Sequence, residues 1–385
     1  MSLRPRHFSK RLKSLLKLFP IVCILGPRQC GKTTFAKTEL KGWHYADIEK
    51  PSDFTRLSED PEHFLNHYQS RIIIDEAQRF PELFGLLRSY VDGKAPQKGM
   101  IVLLGSASFE LVKGISESLA GRVGFLDMTP FQLDEVDQQD KLWLQGGFPQ
   151  AYLQKKSGSW QDWFESYART FIERDLPGLG IQVSAVQMRK LWAMLSHVHG
   201  CLWNASELAN SLGVTYHTVN RYADILEQTY LIRRLMPFHT NIKKRLVKNA
   251  KLYIRDSGLL HYLLGIEDKT HLETHPKRGA SWEGFAIEQI INTAVLKNPG
   301  TEFYFWRTST GQEVDLLLKR GSSILPIEIK THTAPDKSLV KGLFHCLADL
   351  KLNKGWVVVP KGNSYSLGQG IQVVSLKGFL DQMAL

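Results

Sequence analysis

A glycine-containing turn between an apolar strand and a helix is the feature that most constrains this chain. Residues 26–34 read Gly-Pro-Arg-Gln-Cys-Gly-Lys-Thr-Thr and follow the apolar run of residues 21–25. This spacing is typical of a phosphate-binding loop, in which backbone N–H groups and a helix N-terminus surround the phosphates. Lys32 is expected to reach the terminal phosphates, and the Thr33 hydroxyl is expected to bind Mg²⁺. The segment therefore predicts a site for ATP and Mg²⁺ formed by Gly26, Pro27, Arg28, Gln29, Cys30, Gly31, Lys32, Thr33 and Thr34.

An acidic pair is predicted to complete this nucleotide site. Asp75 and Glu76 directly follow the apolar run of residues 72–74. Ligands of parallel sheets bind at the carboxyl ends of the strands. We therefore expect Asp75 to hold Mg²⁺ and Glu76 to act catalytically by orienting the attacking water. The alternative is an acidic surface pair that only closes a strand.

Three continuous apolar runs indicate a parallel sheet in the first part of the chain. Residues 21–25, 72–74 and 101–104 show no polar alternation, so each strand is expected to be covered on both faces. Helical periodicity dominates residues 151–240, a basic connector follows at 241–278, and residues 279–385 return to strands and helices. The predicted fold is α/β, with a P-loop domain at 1–150, a helical middle region and a C-terminal α/β domain.

The charge balance suggests an anionic partner. The formal net charge is +11 and the sequence pI is about 9.3, which favours a polyanionic partner or an anionic surface. Nucleic acid, and DNA first, is the expected partner. Four cysteines lack metal-ligand spacing, so a reducing, cytoplasmic location is expected. No run of 18 apolar residues occurs, and no membrane partner is expected.

A helix-turn-helix pattern lies in the middle region. Residues 206–215 read as a short capped helix, a glycine turn and a second N-cap, residues 216–228 read as a longer helix, and residues 230–236 read as a strand. This order predicts a winged helix. It leaves two alternatives open: a DNA-binding module, or a protein-binding or lid module. Its outer face would show Tyr216, His217, Asn220 and Arg221, and a nearby basic cluster could supply phosphate contacts or be a solvated connector: Lys243, Lys244, Arg245, Lys248 and Lys251.

A β-hairpin is predicted in the C-terminal region, with residues 321–322 as its two-residue loop. Arg320 would then pair with Ser323, and counting back along both strands places Asp315 opposite Glu328. The same count places Glu313 opposite Lys330, with all four of these side chains on one face. Two facing carboxylates are destabilising unless a cation joins them. We therefore expect a second divalent metal, Mg²⁺ or Mn²⁺, between Asp315 and Glu328, with Lys330 positioning a water beside it.

The chain resembles a family of prokaryotic AAA-type P-loop ATPases with a winged-helix lid and a C-terminal domain of unknown function similar to PD-(D/E)XK nucleases. The resemblance covers nearly the whole chain and rests on the order of its motifs. After the phosphate loop come Asp-Glu-x-Gln at 75–78, Leu-Ala-Gly-Arg at 119–122, Gly-Gly-Phe-Pro at 146–149, Glu-Arg-Asp at 173–175 and Tyr-x-x-Asp-x-Gly-Leu at 253–259. One departure is Cys30, where a small aliphatic residue is expected; packing is favoured over redox control there.

The resemblance implies further catalytic residues in the nucleotide site. Ser106 follows the third apolar run, where AAA proteins place a polar residue that senses the γ-phosphate; an ordinary loop serine is the alternative. Arg122 is the first candidate for an arginine supplied to a neighbouring subunit, which implies a homo-oligomer. Arg174 is the second candidate. A surface salt bridge is the alternative for either arginine.

The resemblance also implies a catalytic role for residues of the C-terminal hairpin. Asp315, Glu328 and Lys330 match the Asp … Glu-x-Lys pattern of PD-(D/E)XK nucleases and are catalytic candidates, and Glu283 on the preceding helix is a further carboxylate. The alternative is a hairpin with a Glu313–Lys330 salt bridge in a nuclease-like fold that has lost catalysis. The predicted function is Mg-ATP hydrolysis coupled to nucleic-acid binding and cleavage. The alternative is a nucleotide-dependent switch or binding protein that cuts nothing.

Overall fold

The structure is a computed structural model and describes residues 4–68, 71–106, 109–156, 158–178, 181–238 and 249–383. The chain forms two compact units. The first comprises Met1–Phe131 with Gln228–Tyr230, and the second comprises Gln132–Glu227 with Leu231–Leu385. The predicted boundaries at residues 150, 240 and 278 all lie within the second unit.

The first unit is built on a parallel sheet. Its five strands lie in the order β2-β3-β4-β1-β5, and all their pairings are parallel. The predicted apolar runs form β1, β3 and β4, whose hydrophobic side chains are at most 3% exposed, so the expectation of a doubly covered sheet is confirmed. The strands are β1 (Ile21–Gly26), β2 (His44–Asp47), β3 (Ile72–Asp75), β4 (Ile101–Ser106) and β5 (Val123–Asp127).

In the described residues of the first unit, six helices accompany this sheet. A helix directly follows the phosphate loop, as the sequence predicts, and a single 3₁₀ turn, Ala77–Arg79, follows the acidic pair. The helices are α1 (Ser9–Leu18), α2 (Lys32–Glu39), α3 (Pro51–Glu59), α4 (Pro61–His67), α5 (Leu83–Gly93) and α6 (Phe109–Ser118).

The second unit begins with a helical region around an aromatic core that includes Trp160, Phe164, Phe171 and Trp192. The short helix of the predicted helix-turn-helix begins at Ala205 and is capped by Asn204, whose side chain accepts a hydrogen bond from the N–H of Glu207. The elements are α7 (Gln139–Gln145), α8 (Pro149–Tyr152), α9 (Ser159–Thr170), a π-helical turn (Phe171–Asp175), α10 (Leu176–Gly178), α11 (Ala185–His197), α12 (Ala205–Leu212), α13 (Tyr216–Gln228), β6 (Ile232–Leu235), β7 (Lys251–Ile254), α14 (Ser257–Leu263) and α15 (Lys269–Thr274). Strands β6 and β7 pair in antiparallel fashion.

A mixed sheet completes the second unit. Its strand order is β12-β13-β11-β10-β9-β8, with parallel β10–β11 and β11–β13 pairs and antiparallel pairs elsewhere. The elements are α16 (Arg278–Lys297), β8 (Glu302–Arg307), β9 (Glu313–Arg320), β10 (Ser323–Ile329), a 3₁₀ turn (Lys337–Val340), α17 (Lys341–Leu350), β11 (Gly355–Val359), β12 (Tyr365–Gly368), β13 (Ile371–Ser375) and α18 (Leu376–Gln382).

The β9–β10 hairpin has the predicted register. Ser323 pairs with Arg320, and the pairing continues without a shift to Ile327 and Leu316. The pairing of the two strands ends there, and Asp315 and Glu328 are the next residue of each strand. Residues 321–322 form the two-residue turn, as the alternation of both arms predicts.

Two motifs that are far apart in the sequence meet inside the second unit. The backbone N–H of Gly147 donates to Asp256 Oδ2 at 2.8 Å, and the N–H of Leu259 donates to Asp256 Oδ1 at 2.9 Å. Gly146 has a φ of +75°, and a Cβ added there would collide with the Asp256 carboxylate. Gly-Gly-Phe-Pro and Tyr-x-x-Asp-x-Gly-Leu therefore have a structural role, because the first glycine leaves room for the carboxylate that joins the two segments.

Candidate nucleotide site and carboxylate cluster

The phosphate loop leaves the carboxyl end of β1 at a position that requires glycine. Gly26 has a φ of +156°, and a Cβ there would collide with the carbonyl oxygen of Met128. Lys32 is 9% exposed, and its ammonium group donates to the carbonyl oxygens of Gly26 and Pro27, each at 3.0 Å. The ammonium therefore lies over the loop, where phosphate oxygens would compete with these carbonyls.

The two predicted Mg²⁺ ligands meet in the first unit. Thr33 Oγ1 donates to Asp75 Oδ2 at 2.6 Å, although 42 residues separate them. The Tyr45 hydroxyl donates to the same carboxylate oxygen at 2.9 Å, and the N–H of Glu76 donates to Asp75 Oδ1 at 3.0 Å. A hydroxyl and a carboxylate are the oxygen ligands that Mg²⁺ prefers, so these residues fit the ion. Tyr45 was missed by sequence reasoning because β2 is short and half-buried, with no strong apolar pattern.

Glu76 occupies an unusual backbone conformation. Its φ is +55°, in the left-handed region that costs a non-glycine residue about 1–3 kcal/mol. Burial raises the pKa of its carboxyl, although Arg28 opposes this. The Arg28 guanidinium lies 3.7 Å from Glu76 Oε1 and 3.6 Å from Glu49 Oε1, and Gln78 donates to Glu76 Oε2. The strained backbone and the contacts with Arg28 and Gln78 restrict this carboxylate, and its role in orienting water stays a prediction.

Two buried residues, Cys30 and Arg6, stabilise the phosphate loop. Cys30 is fully buried, a placement that accords with the packing role favoured from the sequence. The guanidinium of Arg6 donates to the carbonyl oxygen of Cys30 at 3.0 Å and to that of Thr129 at 2.6 Å. Arg6 was not predicted, since a single arginine near the N-terminus carries no signal of a loop far along the chain.

The three residues predicted to act at the γ-phosphate have different surroundings in the structure. Arg122 is in an ion pair with Asp92 and also donates to the carbonyl oxygen of Ala120 at 2.9 Å. Arg174 is an exposed residue of the π-helical turn. Ser106 ends β4, and its side chain lies outside the described part of the structure. The sensor and finger roles therefore stay predictions.

Asp315 and Glu328 are both buried, at 7% and 6% exposure. Asp315 Oδ2 accepts from the N–H of Ile329 at 2.8 Å, and Glu328 Oε1 accepts from Lys330 Nζ at 2.6 Å. Among the described residues Glu328 Oε2 has no hydrogen-bond partner. Burial, with the charges of Glu328 and Glu283, holds the pKa of Asp315 well above its usual range, and burial raises the pKa of Glu328 to about 7. Burial therefore raises the pKa of each carboxyl more than the repulsion between the two carboxylates does.

One part of the predicted face is wrong. Glu313 was expected opposite Lys330, but Glu313 contacts Lys251 and Arg307 instead, at 2.6 Å and 2.8 Å. Strand β10 ends at Ile329, and the N–H of Lys330 bonds to the carbonyl oxygen of Val358 on the other neighbouring strand. The antiparallel pairing with β9 ends at Ile327 and Leu316, before Lys330 is reached, and the Lys330 side chain pairs with Glu328.

Lys251 also differs from its prediction. It was placed in a basic connector, but it begins β7 and is 3% exposed. Its ammonium lies 2.8 Å from Glu283 Oε1, 2.6 Å from Glu313 Oε1 and 3.9 Å from Asp315 Oδ1. A run of basic residues does not reveal which member pairs with carboxylates far along the chain. The other members lie outside the described residues: Lys243, Lys244, Arg245 and Lys248.

We call Glu283, Glu313, Asp315 and Glu328 the carboxylate cluster. The described residues Glu283, Asp315 and Glu328 do not offer three oxygens that all lie within 4.8 Å of one another. These three carboxylates are therefore not a ready three-carboxylate site, and a metal held by Asp315 and Glu328 stays a prediction, which the unpartnered oxygen of Glu328 supports.

Comparisons with known proteins match three parts of the chain to family models. Residues 18–137 match the family described as AAA domain, while residues 136–270 and 278–379 match two domains of unknown function, DUF8612 and DUF4143. Two proteins described as uncharacterized, from Mycobacterium tuberculosis and Mycobacterium bovis, are each 40% identical over 378 residues. The alignment covers 97% of this chain and 84% of each relative. The chain belongs to their family.

The first unit of this family member carries a P-loop AAA-type ATPase domain. Among solved structures, a Walker-type ATPase of Pyrococcus abyssi aligns with a TM-score of 0.47 and 16% identity, covering 68% of this chain and 96% of that one. In the described residues, no helix has both the length and the apolar character needed to cross a membrane.

Proposed function

We propose that this protein hydrolyses Mg-ATP as an oligomer and couples the nucleotide cycle to nucleic-acid binding and cleavage by its second unit. The observation that carries the ATPase part is the 2.6 Å contact between Thr33 and Asp75, made at the carboxyl ends of β1 and β3. Lys32 lies over the loop between these strand ends and the start of α2. The constellation supports phosphate binding and hydrolysis more directly than any other group of described residues.

Each residue of the nucleotide site has a defined task in this proposal. Thr33 and Asp75 hold Mg²⁺, which supplies charge neutralisation on the phosphates. Lys32 exchanges its carbonyl partners for phosphate oxygens, and Glu76 accepts a hydrogen bond from the attacking water. Release of inorganic phosphate from ATP, with and without Mg²⁺, tests the proposal. An absence of Mg²⁺-dependent release in the presence of every nucleic acid tried would reject it.

The nucleic-acid part is supported by charge. The basic segment at residues 243–248 is one source of positive charge. A surface cavity of about 700 Å³ in the second unit is another, and it is lined by Lys141, Lys269, Lys361 and Lys377. Lys269 pairs with Asp140 at 2.9 Å. In the described part of the chain, Lys361 and Lys377 make no ion pair, so both ammonium groups are available to phosphates. Tyr216 at the start of α13 is 49% exposed and could stack on a base.

A second candidate function is a nucleotide-dependent switch that binds its partner without cutting. The buried ammonium of Lys251 favours it, because a fixed cation already neutralises part of the carboxylate cluster. Incubation with linear DNA, circular DNA and RNA, with and without Mg²⁺ and ATP, separates the two candidates. Metal-dependent cleavage that is lost in Asp315→Ala supports a nuclease, whereas nucleotide-dependent binding without cleavage supports the switch.

A further inference from the structure

We infer that Lys251 is a built-in cation that divides the carboxylate cluster into a satisfied pair and an open pair, and thereby keeps divalent-metal affinity low. The inference rests on the proposed metal-binding function of this cluster. It concerns a residue outside the Asp … Glu-x-Lys pattern, contributed by β7, a strand of the smaller two-stranded sheet.

The satisfied pair is Glu283 and Glu313. Lys251 lies within 2.8 Å of an oxygen of each. Glu283 Oε1 also accepts a hydrogen bond from the Tyr253 hydroxyl at 2.5 Å, and Glu313 Oε2 accepts one from Arg307 at 2.8 Å. Both carboxylates are thus held by donors of the protein, which compete with a metal ion for their oxygens.

The open pair is Asp315 and Glu328. Lys251 is 3.9 Å from Asp315 Oδ1, beyond hydrogen-bond distance, and the N–H of Ile329 holds the other oxygen. Glu328 has one oxygen bound by Lys330 and one buried oxygen without a partner among the described residues. A buried, unsatisfied carboxylate oxygen is costly, so this position attracts a proton or a metal ion.

The charges of the cluster explain why Lys251 matters for metal affinity. Four carboxylates face three cations, Lys251, Lys330 and Arg307. One proton balances this set, whereas a divalent ion leaves it one charge positive. Without Lys251, the same ion balances the set, and Glu283, which then keeps only its hydrogen bond from Tyr253, is free to turn towards the ion as a further ligand. Metal affinity rises with the number of charged ligands, so Lys251 lowers it in two ways.

Manganese binding to the full-length chain tests the inference. All proteins carry Asp75→Asn, which removes the predicted metal-binding carboxylate of the nucleotide site, and free Mn²⁺ is measured by electron paramagnetic resonance. Lys251→Met is expected to bind Mn²⁺ about tenfold more tightly than its parent, and adding Glu283→Gln is expected to reverse most of the gain. Lys319→Met is the matched control, because Lys319 pairs with the exposed Glu302 in the same sheet.

A second variant covers the case in which Lys251→Met does not fold. Lys251→Met combined with Glu313→Gln removes one charge of each sign and leaves Glu283, Asp315 and Glu328 for the metal; it is also expected to bind Mn²⁺ more tightly than the parent. Unchanged or weaker binding in the folded variant overturns the inference. If Lys251→Met binds Mn²⁺ more tightly but no protein cleaves nucleic acid, the role of Lys251 is supported and the nuclease is rejected. If the parent cleaves, Asp315→Ala does not, and Lys251→Met has unchanged Mn²⁺ affinity, the nuclease is supported and the role of Lys251 is rejected.

Discussion

The guanidinium of Arg122 contacts the carboxylate of Asp92 through two hydrogen bonds, with Nε 2.6 Å from Oδ1 and Nη2 2.8 Å from Oδ2. The side chains are 33% and 49% exposed. Water screens an exposed ion pair, so this contact contributes little to stability. Arg122 is therefore held in a weak intramolecular contact from which a neighbouring subunit could recruit it.

The first prediction concerns this recruitment. If Arg122 serves a neighbouring subunit, ATPase activity per mole should rise with protein concentration, and Arg122→Ala should lower it by roughly 10³-fold. Asp92→Asn should raise activity at low concentration, because it frees the guanidinium. Mixing Arg122→Ala with Glu76→Gln should restore part of the rate, and Arg71→Ala, at an exposed arginine of the same unit, should behave like the parent. A rate independent of concentration in a monomer removes the idea.

The second prediction separates binding from hydrolysis. Lys32→Ala should reduce phosphate release about a hundredfold or more, because the cation that faces the terminal phosphates is lost. Glu76→Gln should retain Mg-ATP yet release no phosphate, since Thr33 and Asp75 are untouched. Filter binding of labelled ATP and phosphate release measured on the same samples check both variants. Parent-like turnover in Glu76→Gln would show that another group orients the water.

The third prediction concerns nucleic-acid contacts. Binding should weaken steeply with salt, because each neutralised phosphate releases counterions. Replacing Lys243, Lys244 and Arg245 together by alanine should reduce the salt slope by about 3, and replacing Lys361 and Lys377 should reduce it by about 2. Fluorescence anisotropy with labelled DNA over a range of salt concentrations measures both slopes. If only one of the two variants has a smaller salt slope, the residues replaced in that variant make the phosphate contacts.

The fourth prediction concerns the contact between Gly146 and Asp256. Gly146→Ala should destabilise the protein by about 3 kcal/mol, because it combines a backbone conformation reserved for glycine with a collision against a buried carboxylate. Gly158→Ala is the matched control, since Gly158 has a φ of +82° but no atom within 4 Å of an added Cβ. Urea unfolding compares the two. Equal losses would mean that backbone strain alone accounts for the effect.

The sequence predicts features that depend on local pattern. The strands β1, β3 and β4 and the start of α2 follow from apolar runs and loop spacing. The β9–β10 register follows because a two-residue turn fixes which residues face each other.

Contacts between distant segments could not be predicted in this way. Lys251 reads as one of five clustered basic residues, and only the folded chain shows that it lies among carboxylates more than 30 residues away. Tyr45 and Arg6 act through a neighbouring strand and a loop, respectively, and neither has a sequence signature. Lys330 was misplaced because strand register says nothing about where a strand ends.

The last prediction concerns the pH dependence of the metal-free fold. The pKa of Glu328 rises from 4.5 to about 7 on folding, chiefly because of burial. The unfolded chain therefore releases this proton first, and stability falls as the pH rises from about 4.5 to about 7, by at most about 3 kcal/mol. Asp315, whose pKa is also raised, changes stability in the same direction.

Glu328→Gln should flatten this dependence, because the amide has no proton to release and leaves a neutral group beside Lys330. Urea unfolding at a series of pH values in the presence of a chelator measures it, and Glu302→Gln is the control, since Glu302 is an exposed member of the same sheet. Adding Mn²⁺ to the parent at pH 8 should recover the lost stability, because the ion replaces the proton at the open oxygen of Glu328. A parent whose stability rises through this window would mean that Lys330 and Lys251 keep Glu328 ionised, and that the cluster needs neither proton nor metal.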